Sequence, residues 1–472
     1  MNQNNISAAE LFLRVRELLI LPELEPKTRN KMMHDTLILC CHEGVKETKQ
    51  AFGNLFSQVD YLCKAHGIKV ADKIAIQTMR RHSNSQEPLS SEDLKYDARA
   101  LAIFISAVFG VDVPHELNVL IPHTNRPYQK GLEINNRRIR CIVKNWDSDF
   151  IRVDIDQDAD EEEYLVQLKD EENHIDHTYL WDILKEGMQL NLLDCQVKQP
   201  VITPRLIVVE PDYLVDISSI ATCFTAFGHH PLLYLLNQMK PRANTQATLL
   251  GNFAGAALDD IINTNGKYQM NETIKTNFRE KALEFCTCPW FDAKKFYTDA
   301  NQQAFNLQQV VDILFPRTAS QAQMSAFRGE SLYDRKKAIL EPSFVCEALG
   351  IQGRVDLITT DCKLLVEQKS GRNMNIETHQ VDPGYHSYQL EPHYVQLLLY
   401  YGVLQHNFKL SNDRVNIRLL YSKYQPQDGL MVVAYYRKLF QEAITYRNQL
   451  VAASFEIAKE GFEHALNEFT PE

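Results

Sequence analysis

The sequence predicts an α/β (α+β) chain in three parts: a helical accessory region over 1–115, a small OB-like β-barrel over 116–205, and a mixed domain over 206–472. Three observations carry this. The opening segment spaces its apolar residues at helical intervals. The middle segment consists of short runs alternating apolar and polar side chains. From about residue 206 strands and helices alternate, the order of a short mixed sheet flanked by helices.

The bulk properties set outer limits. At 472 residues, 44% hydrophobic and 24% charged, the composition is that of a soluble globular chain with room for several domains. No apolar run is long enough to span a bilayer. The start, Met1-Asn2-Gln3-Asn4-Asn5, lacks a basic region followed by an apolar stretch, so no secretory signal is expected. Ten cysteines in so long a chain predict reduced thiols and a cytoplasmic protein rather than a disulfide scaffold. A net charge of −11 excludes a broad nucleic-acid-coating surface but permits a local basic groove.

In the helical region, Ala8–Ile20, Lys31–His66 and Ser91–Phe109 carry the periodic apolar residues, punctuated by Pro22, Pro26, Gly67 and the polar run Arg80–Pro88. Cys40-Cys41-His42 and Cys63-x-x-His66 could suggest zinc, but the apolar context of Leu37–Leu39 favours core cysteines. The barrel strands are read at 138–143, 150–155, 164–168 and 187–193, with the acidic run Asp156–Glu163 as a solvated turn. In the third part, Arg205–Val209 and Val415–Tyr421 read as strands. Leu232–Met239, Ala247–Ile262, Phe278–Phe285, Pro392–His406 and Gly429–Glu468 read as helices. Cys286-Thr287-Cys288 has no second ligand pair nearby and reads as free thiols.

The chemistry concentrates in two strands. Gly353-Arg354-Val355-Asp356 opens one, and Leu364-Leu365-Val366-Glu367-Gln368-Lys369 forms the next. Alternation puts Glu367 and Lys369 on one face. Asp356 and Glu367 on adjacent strands offer a Mg²⁺ or Mn²⁺ site with a lysine beside it, the equipment for phosphodiester hydrolysis. Glu347 is a possible outer acid. On the following helix, Gln396 and Tyr400 share a face by their spacing. Arg372 and Lys363 are candidate phosphate contacts.

The ordered set GxxD, ExK and QxxxY resembles the RecB-type branch of the PD-(D/E)xK nucleases, and with it a restriction-endonuclease-like core. Gly187–Leu192, the stretch Arg205–Ser218 with its Pro211-Asp212 turn, and Leu250-Gly251-Asn252-Phe253 look like the approach to the nuclease core of the Okazaki-flap nuclease–helicase family. The CRISPR-associated RecB-type exonucleases share the same motifs. His393, three residues before Gln396, also fits. The resemblance covers roughly residues 185–405. It implies a metal-dependent deoxyribonuclease of DNA repair, replication or phage defence, acting on single-stranded ends or flaps. Asp356, Glu367 and the Val366 carbonyl would ligate metal, Lys369 would assist the attacking water, Gln396 would place water or phosphate, and Tyr400 would support the site. His393 would approach DNA.

The chain departs from that family in three places. The family's helix histidine is replaced by Gly255, leaving Asp259 or Asp260, one turn on, as substitute ligands. No cysteine follows Cys362, so no iron–sulfur cluster is expected. No GxxxxGK[S/T] phosphate loop is present, so a helicase would be a separate or C-terminally linked partner. His229-His230 stands near the family's first cluster cysteine and could face DNA or begin a helix. The rival expectation is an inactive nuclease fold serving as a DNA-binding or assembly subunit.

Overall fold

The structure is a computed structural model. It describes residues 6–21, 23–48, 50, 52–85, 87–126, 136–156, 163–225, 228–239, 244–264, 267–381, 388–410 and 414–468. The chain forms two compact units, 1–213 with 451–472, and 214–450.

The first unit opens with α1 (Ala8–Ile20), α2 (Pro26–Gly44), α3 (Leu55–Ala65), α4 (Val70–Asn84), α5 (Ser91–Phe109) and the single turn α6 (His115–Asn118). Local chemistry sets the ends. Ser7 caps α1, Pro26 occupies the first position of α2, and Ser90 with Asp93 forms a capping box on α5. Gly110, at φ 65°, ends α5 in the left-handed conformation. Cys40, Cys41 and Cys63 are buried in the helical core, and burial pushes the Cys40 and Cys63 thiols up to about 12. Arg80 lies inside α4 rather than in a break, because its guanidinium is buried against Gln77 and Asp156.

The β-rich part comprises β1 (Arg138–Trp146), β2 (Phe150–Ile155), β3 (Tyr164–Gln167), the hairpin β4 (Lys169–Asp170) and β5 (Ile175–Asp176), then β6 (Gln189–Leu193), β7 (Gln196–Lys198), β8 (Val201–Thr203) and β9 (Leu206–Val209). Seven of these form one sheet in the order β7-β8-β3-β2-β1-β6-β9. This corrects the expected barrel: among the described residues the sheet is open. Its end strands, β7 and β9, are only three and four residues long and do not pair with each other. Asp156 also departs from the solvated-turn reading, since Arg80 donates to it at 2.6 Å; residues 157–162 of that acidic run lie outside the described residues.

The second unit runs β10 (Val215–Asp216), α7 (Ile217–Ala221), hairpin β11 (Phe224–Thr225) and β12 (Gly228–His229), α8 (Leu232–Met239), α9 (Gln246–Asn263), α10 (Met270–Glu280), α11 (Ala282–Cys286), α12 (Ala293–Leu314) and α13 (Ala319–Phe327). Then come β13 (Ala338–Leu340), β14 (Ser343–Cys346), β15 (Ile351–Arg354), β16 (Leu357–Thr359), β17 (Leu364–Lys369), α14 (Met374–Thr378), α15 (Glu391–Phe408), β18 (Asn416–Tyr421), α16 (Pro426–Gly429), β19 (Leu430–Val432) and α17 (Arg437–Glu460), whose turns from Val451 on, with α18 (Phe462–Glu468), are counted in the first unit. The long terminal helix therefore begins at Arg437 rather than Gly429. Leu430–Val432 instead add an antiparallel edge strand to β18.

Two sheets matter for the site. The larger has the order β13-β16-β17-β18-β19, with β17 and β18 parallel and the other pairs antiparallel. The smaller has the order β10-β15-β14. Leu357, Leu364, Val366 and Leu420 pack with the apolar faces of α9 and α12. Helix α15 is buried continuously from Tyr394 to Leu404, as a helix apolar on all sides must be. The mixed α/β class expected for this part is present. No helix of the described residues is long and apolar enough to cross a membrane.

Candidate active site

The GRVD segment lies where one strand path leaves the small sheet and enters the large one. Arg354 ends β15 and Leu357 begins β16, so Val355 and Asp356 form the crossing. A second crossing runs beside it, between β13 and β14, at Glu341-Pro342. Backbone bonds join the two: Glu341 N–H donates to the Asp356 carbonyl at 3.0 Å, and Val355 N–H to the Pro342 carbonyl at 3.2 Å. Glu341 is held at φ 49°, unusual for a non-glycine residue. Crossings free side chains from sheet packing, which is why carboxylates can gather here.

Strand β17 supplies the rest. Glu367 and Lys369 project to one face, as alternation requires, and α15 meets that face with Gln396. Lys369 Nζ donates to Glu367 Oε1 at 2.8 Å and to Gln396 Oε1 at 2.9 Å. Gln396 Nε2 donates to the same Glu367 oxygen at 2.7 Å. Glu367 is only 3% exposed, and its other oxygen, Oε2, is buried with no hydrogen-bond partner. Burial, then the nearby Asp356 charge, raises its carboxyl to about 7 against the pull of Lys369. Asp356 Oδ2 accepts from Gln368 N–H at 2.6 Å, and burial raises its pKa as well.

Tyr400, one turn beyond Gln396, donates to the Arg354 carbonyl. Its ring explains the motif glycine. A Cβ on Gly353 would lie 3.1 Å from Tyr400 Cε1 and 3.1 Å from Ile217 Cδ1. Behind the lysine, Ser422 N–H donates to the Lys369 carbonyl at 2.9 Å, and Gln303 of α12 holds the Ser370 carbonyl at 2.9 Å. Gln368 Nε2 donates to Ser422 Oγ at 2.6 Å. These buried amides fix the strand end that carries Lys369.

Helix α9 separates its two aspartates. Asp260 is exposed and accepts from Thr273 of α10. Asp259 is half-buried, and burial, then the charges of Glu341, Asp356 and Asp260, raises it to about 7. Asp259 thus belongs to the carboxylate group at the strand crossing, and Asp260 turns toward α10. A Cβ on Gly255 meets nothing within 4 Å, so the missing histidine leaves open space.

Glu347 is exposed at the far end of the β14–β15 ladder, in which Ser343 faces Arg354 and Cys346 faces Ile351. The acid beside Asp356 is Glu341, which sequence reasoning missed. Arg354 was also missed; it pairs with Glu341 at 3.2 Å. The visible signal was Glu341 preceding Pro342 at a break between two apolar triplets. Val366 packs its side chain into the core. His393 is partly buried. Burial, then Lys369, pushes it down to about 3, and its neutral ring bonds the Tyr421 hydroxyl at 2.9 Å. Arg372 sits just past the lysine and pairs with Glu377. Lys363 immediately precedes β17, six residues before Lys369. It lines a separate cleft of about 1020 Å³ with Lys337 and Arg414. His229 bonds Glu391 at 2.6 Å and Glu442 at 2.8 Å rather than beginning a helix.

The donor set is hard oxygen, suited to Mg²⁺ or Mn²⁺. The orphaned Glu367 Oε2 beside Asp356 fits a cation, since an unpaired buried oxygen is otherwise costly. Among the described residues no three His, Cys, Asp or Glu side chains yet converge on one point. No family model matches the chain, and no curated protein matches it either.

Proposed function

We propose that the chain is a Mg²⁺- or Mn²⁺-dependent deoxyribonuclease of the PD-(D/E)xK, RecB-type class, acting on single-stranded or flapped DNA. The observation that carries the reading is the Glu367–Lys369–Gln396 triangle, with one Glu367 oxygen clamped and the other orphaned beside Asp356. Asp356 and Glu367 would hold the cation, with Asp259 or Glu341 adding charge. A bound divalent cation supplies Lewis acidity and lowers the pKa of water. Lys369 keeps Glu367 oriented and has donor capacity left for water or a phosphate oxygen. Gln396 locks both of them. Tyr400 holds the Arg354 carbonyl and so sets the position of Asp356. Arg354, 62% exposed at the side chain, is placed for a phosphate.

The open space at Gly255, where the resembled family carries a histidine, favours one rival, a nuclease fold that binds DNA without cutting it. Incubation of single-stranded DNA with Mn²⁺ separates the two. The nuclease reading expects cleavage by the native chain and a loss of about 10²-fold or more in Asp356→Ala and Lys369→Ala. Binding without cleavage under any divalent metal would establish the rival.

A further inference from the structure

Trp290 is 98% exposed, the most exposed large apolar side chain of the described residues. It also holds a φ of 57°, a conformation that bulky residues avoid. Its neighbours are fixed. Phe291 packs edge-on against Phe278 at 6.2 Å and Phe285 at 5.3 Å, and those two rings stack at 4.0 Å. Asp292 N–H donates to Gln246 Oε1 at 2.8 Å, and Asp292 caps α12 through Lys295 N–H at 3.0 Å. The indole is therefore held out on a rigid base. Along the flanking chain Arg279 follows Phe278, and Lys294 and Lys295 lie in the first turn of α12; all three are exposed and, among the described residues, outside the ion pairs, with exposed Glu280 and Asp292 between them, in a chain of net charge −11. Exposed indole interleaved with free cations is the chemistry that takes a base and its phosphates.

The loop is tied to the carboxylate site through α9. Gln246, which pins it, is the first residue of that helix. Further along, a Cβ on Gly251 would lie 3.2 Å from Ser370 Oγ, immediately after Lys369. Asp259 follows, about 20 Å from Gln246 at the helical rise. That is a span of several nucleotides.

We propose that Trp290 is a base-stacking platform for single-stranded DNA, with Arg279, Lys294 and Lys295 contacting its phosphates, from which the strand runs along α9 to the carboxylates. This rests on the nuclease reading of that site for the direction of the strand. The cations give affinity and its salt dependence. The indole gives sequence-tolerant stacking.

The test is a titration of the full chain in EDTA with an oligothymidylate of about 20 nucleotides, reading tryptophan emission and anisotropy. The chain has three tryptophans, so the signal can be assigned. Quenching is expected in the native chain and in Trp181→Phe. In Trp290→Phe the quench is lost while binding persists, and Trp290→Ala binds about 5-fold or more weakly. Quenching that survives Trp290→Phe, or unchanged affinity in Trp290→Ala, overturns the proposal. So does a native dimer that Trp290→Ala converts to monomer with no change in DNA binding. A chain that is quenched through Trp290 yet never cuts DNA with Mn²⁺ leaves the platform standing and sinks the nuclease reading. A Trp290→Ala chain that cuts with unchanged KM does the reverse.

Discussion

Glu367 is the residue on which the site turns, because its two oxygens have opposite surroundings. One is clamped by Lys369 and Gln396, and the other has no partner. Its carboxyl ionises near 7 in the folded chain, against 4.5 for the free side chain. The protonated form is therefore the one that folding favours. Its stabilising contribution is complete below about pH 4.5 and is lost as pH rises through about 7. Asp259, raised from 3.8 to about 7, acts in the same direction. The metal-free chain should thus lose stability between about pH 4.5 and about pH 7 through these groups, and little more above that. Glu367→Gln should recover part of it at pH 8, by on the order of 2 kcal/mol in chemical denaturation. Stability that is equal in native and Glu367→Gln chains at pH 8 would contradict the assignment. At this scale the sequence revealed the in-phase pair Glu367 and Lys369, since alternation on a strand is a strict rule. It concealed Glu341, whose nearness to Asp356 depends on two sheet crossings that no local pattern encodes.

At the scale of elements, a glycine, a tyrosine and a strand crossing are matched. Tyr400 reaches the Arg354 carbonyl only because Gly353 has no side chain. Gly353→Ala should displace the ring and reduce cleavage about as strongly as Tyr400→Phe, with loss of stability of about 1–3 kcal/mol from overpacking. Gly255 on α9 is a different case, with nothing within 4 Å of an added Cβ. Gly255→Ala should stabilise the chain by about 0.5–1 kcal/mol in thermal or urea unfolding. A destabilised Gly255→Ala, or a neutral Gly353→Ala, would contradict these placements. Helices α1, α5, α8 and α15 were legible because caps, proline and periodicity agree there. The strand β19 was not, because Gly429 ends the turn α16 and the apolar run after it suits helix and strand equally. The barrel failed for a related reason: alternation identifies strands but says nothing about whether end strands meet.

At the scale of the molecule, the second unit holds every residue of the candidate site, and the sheet crossing ties its two sheets together there. Metal binding should therefore be read globally. A cation at 100 times its Kd stabilises the folded chain by about 2.7 kcal/mol. Because the ligands must lose protons, Mn²⁺ should raise the melting temperature more at pH 8 than at pH 6, and Asp356→Ala should abolish the shift. A shift independent of pH, or one retained in Asp356→Ala, would place the ion elsewhere. Net charge of −11 gives no general attraction for DNA, so local cations such as Arg354 and the strip around Trp290 must provide it.

The most direct measurement is anomalous diffraction from crystals soaked in Mn²⁺. If the carboxylates hold the ion, a peak appears between Asp356 and Glu367 Oε2, with Asp259 or Glu341 turned toward it and Lys369 still bonded to Glu367 Oε1. No peak there at saturating Mn²⁺, or one held by other side chains, would contradict that placement.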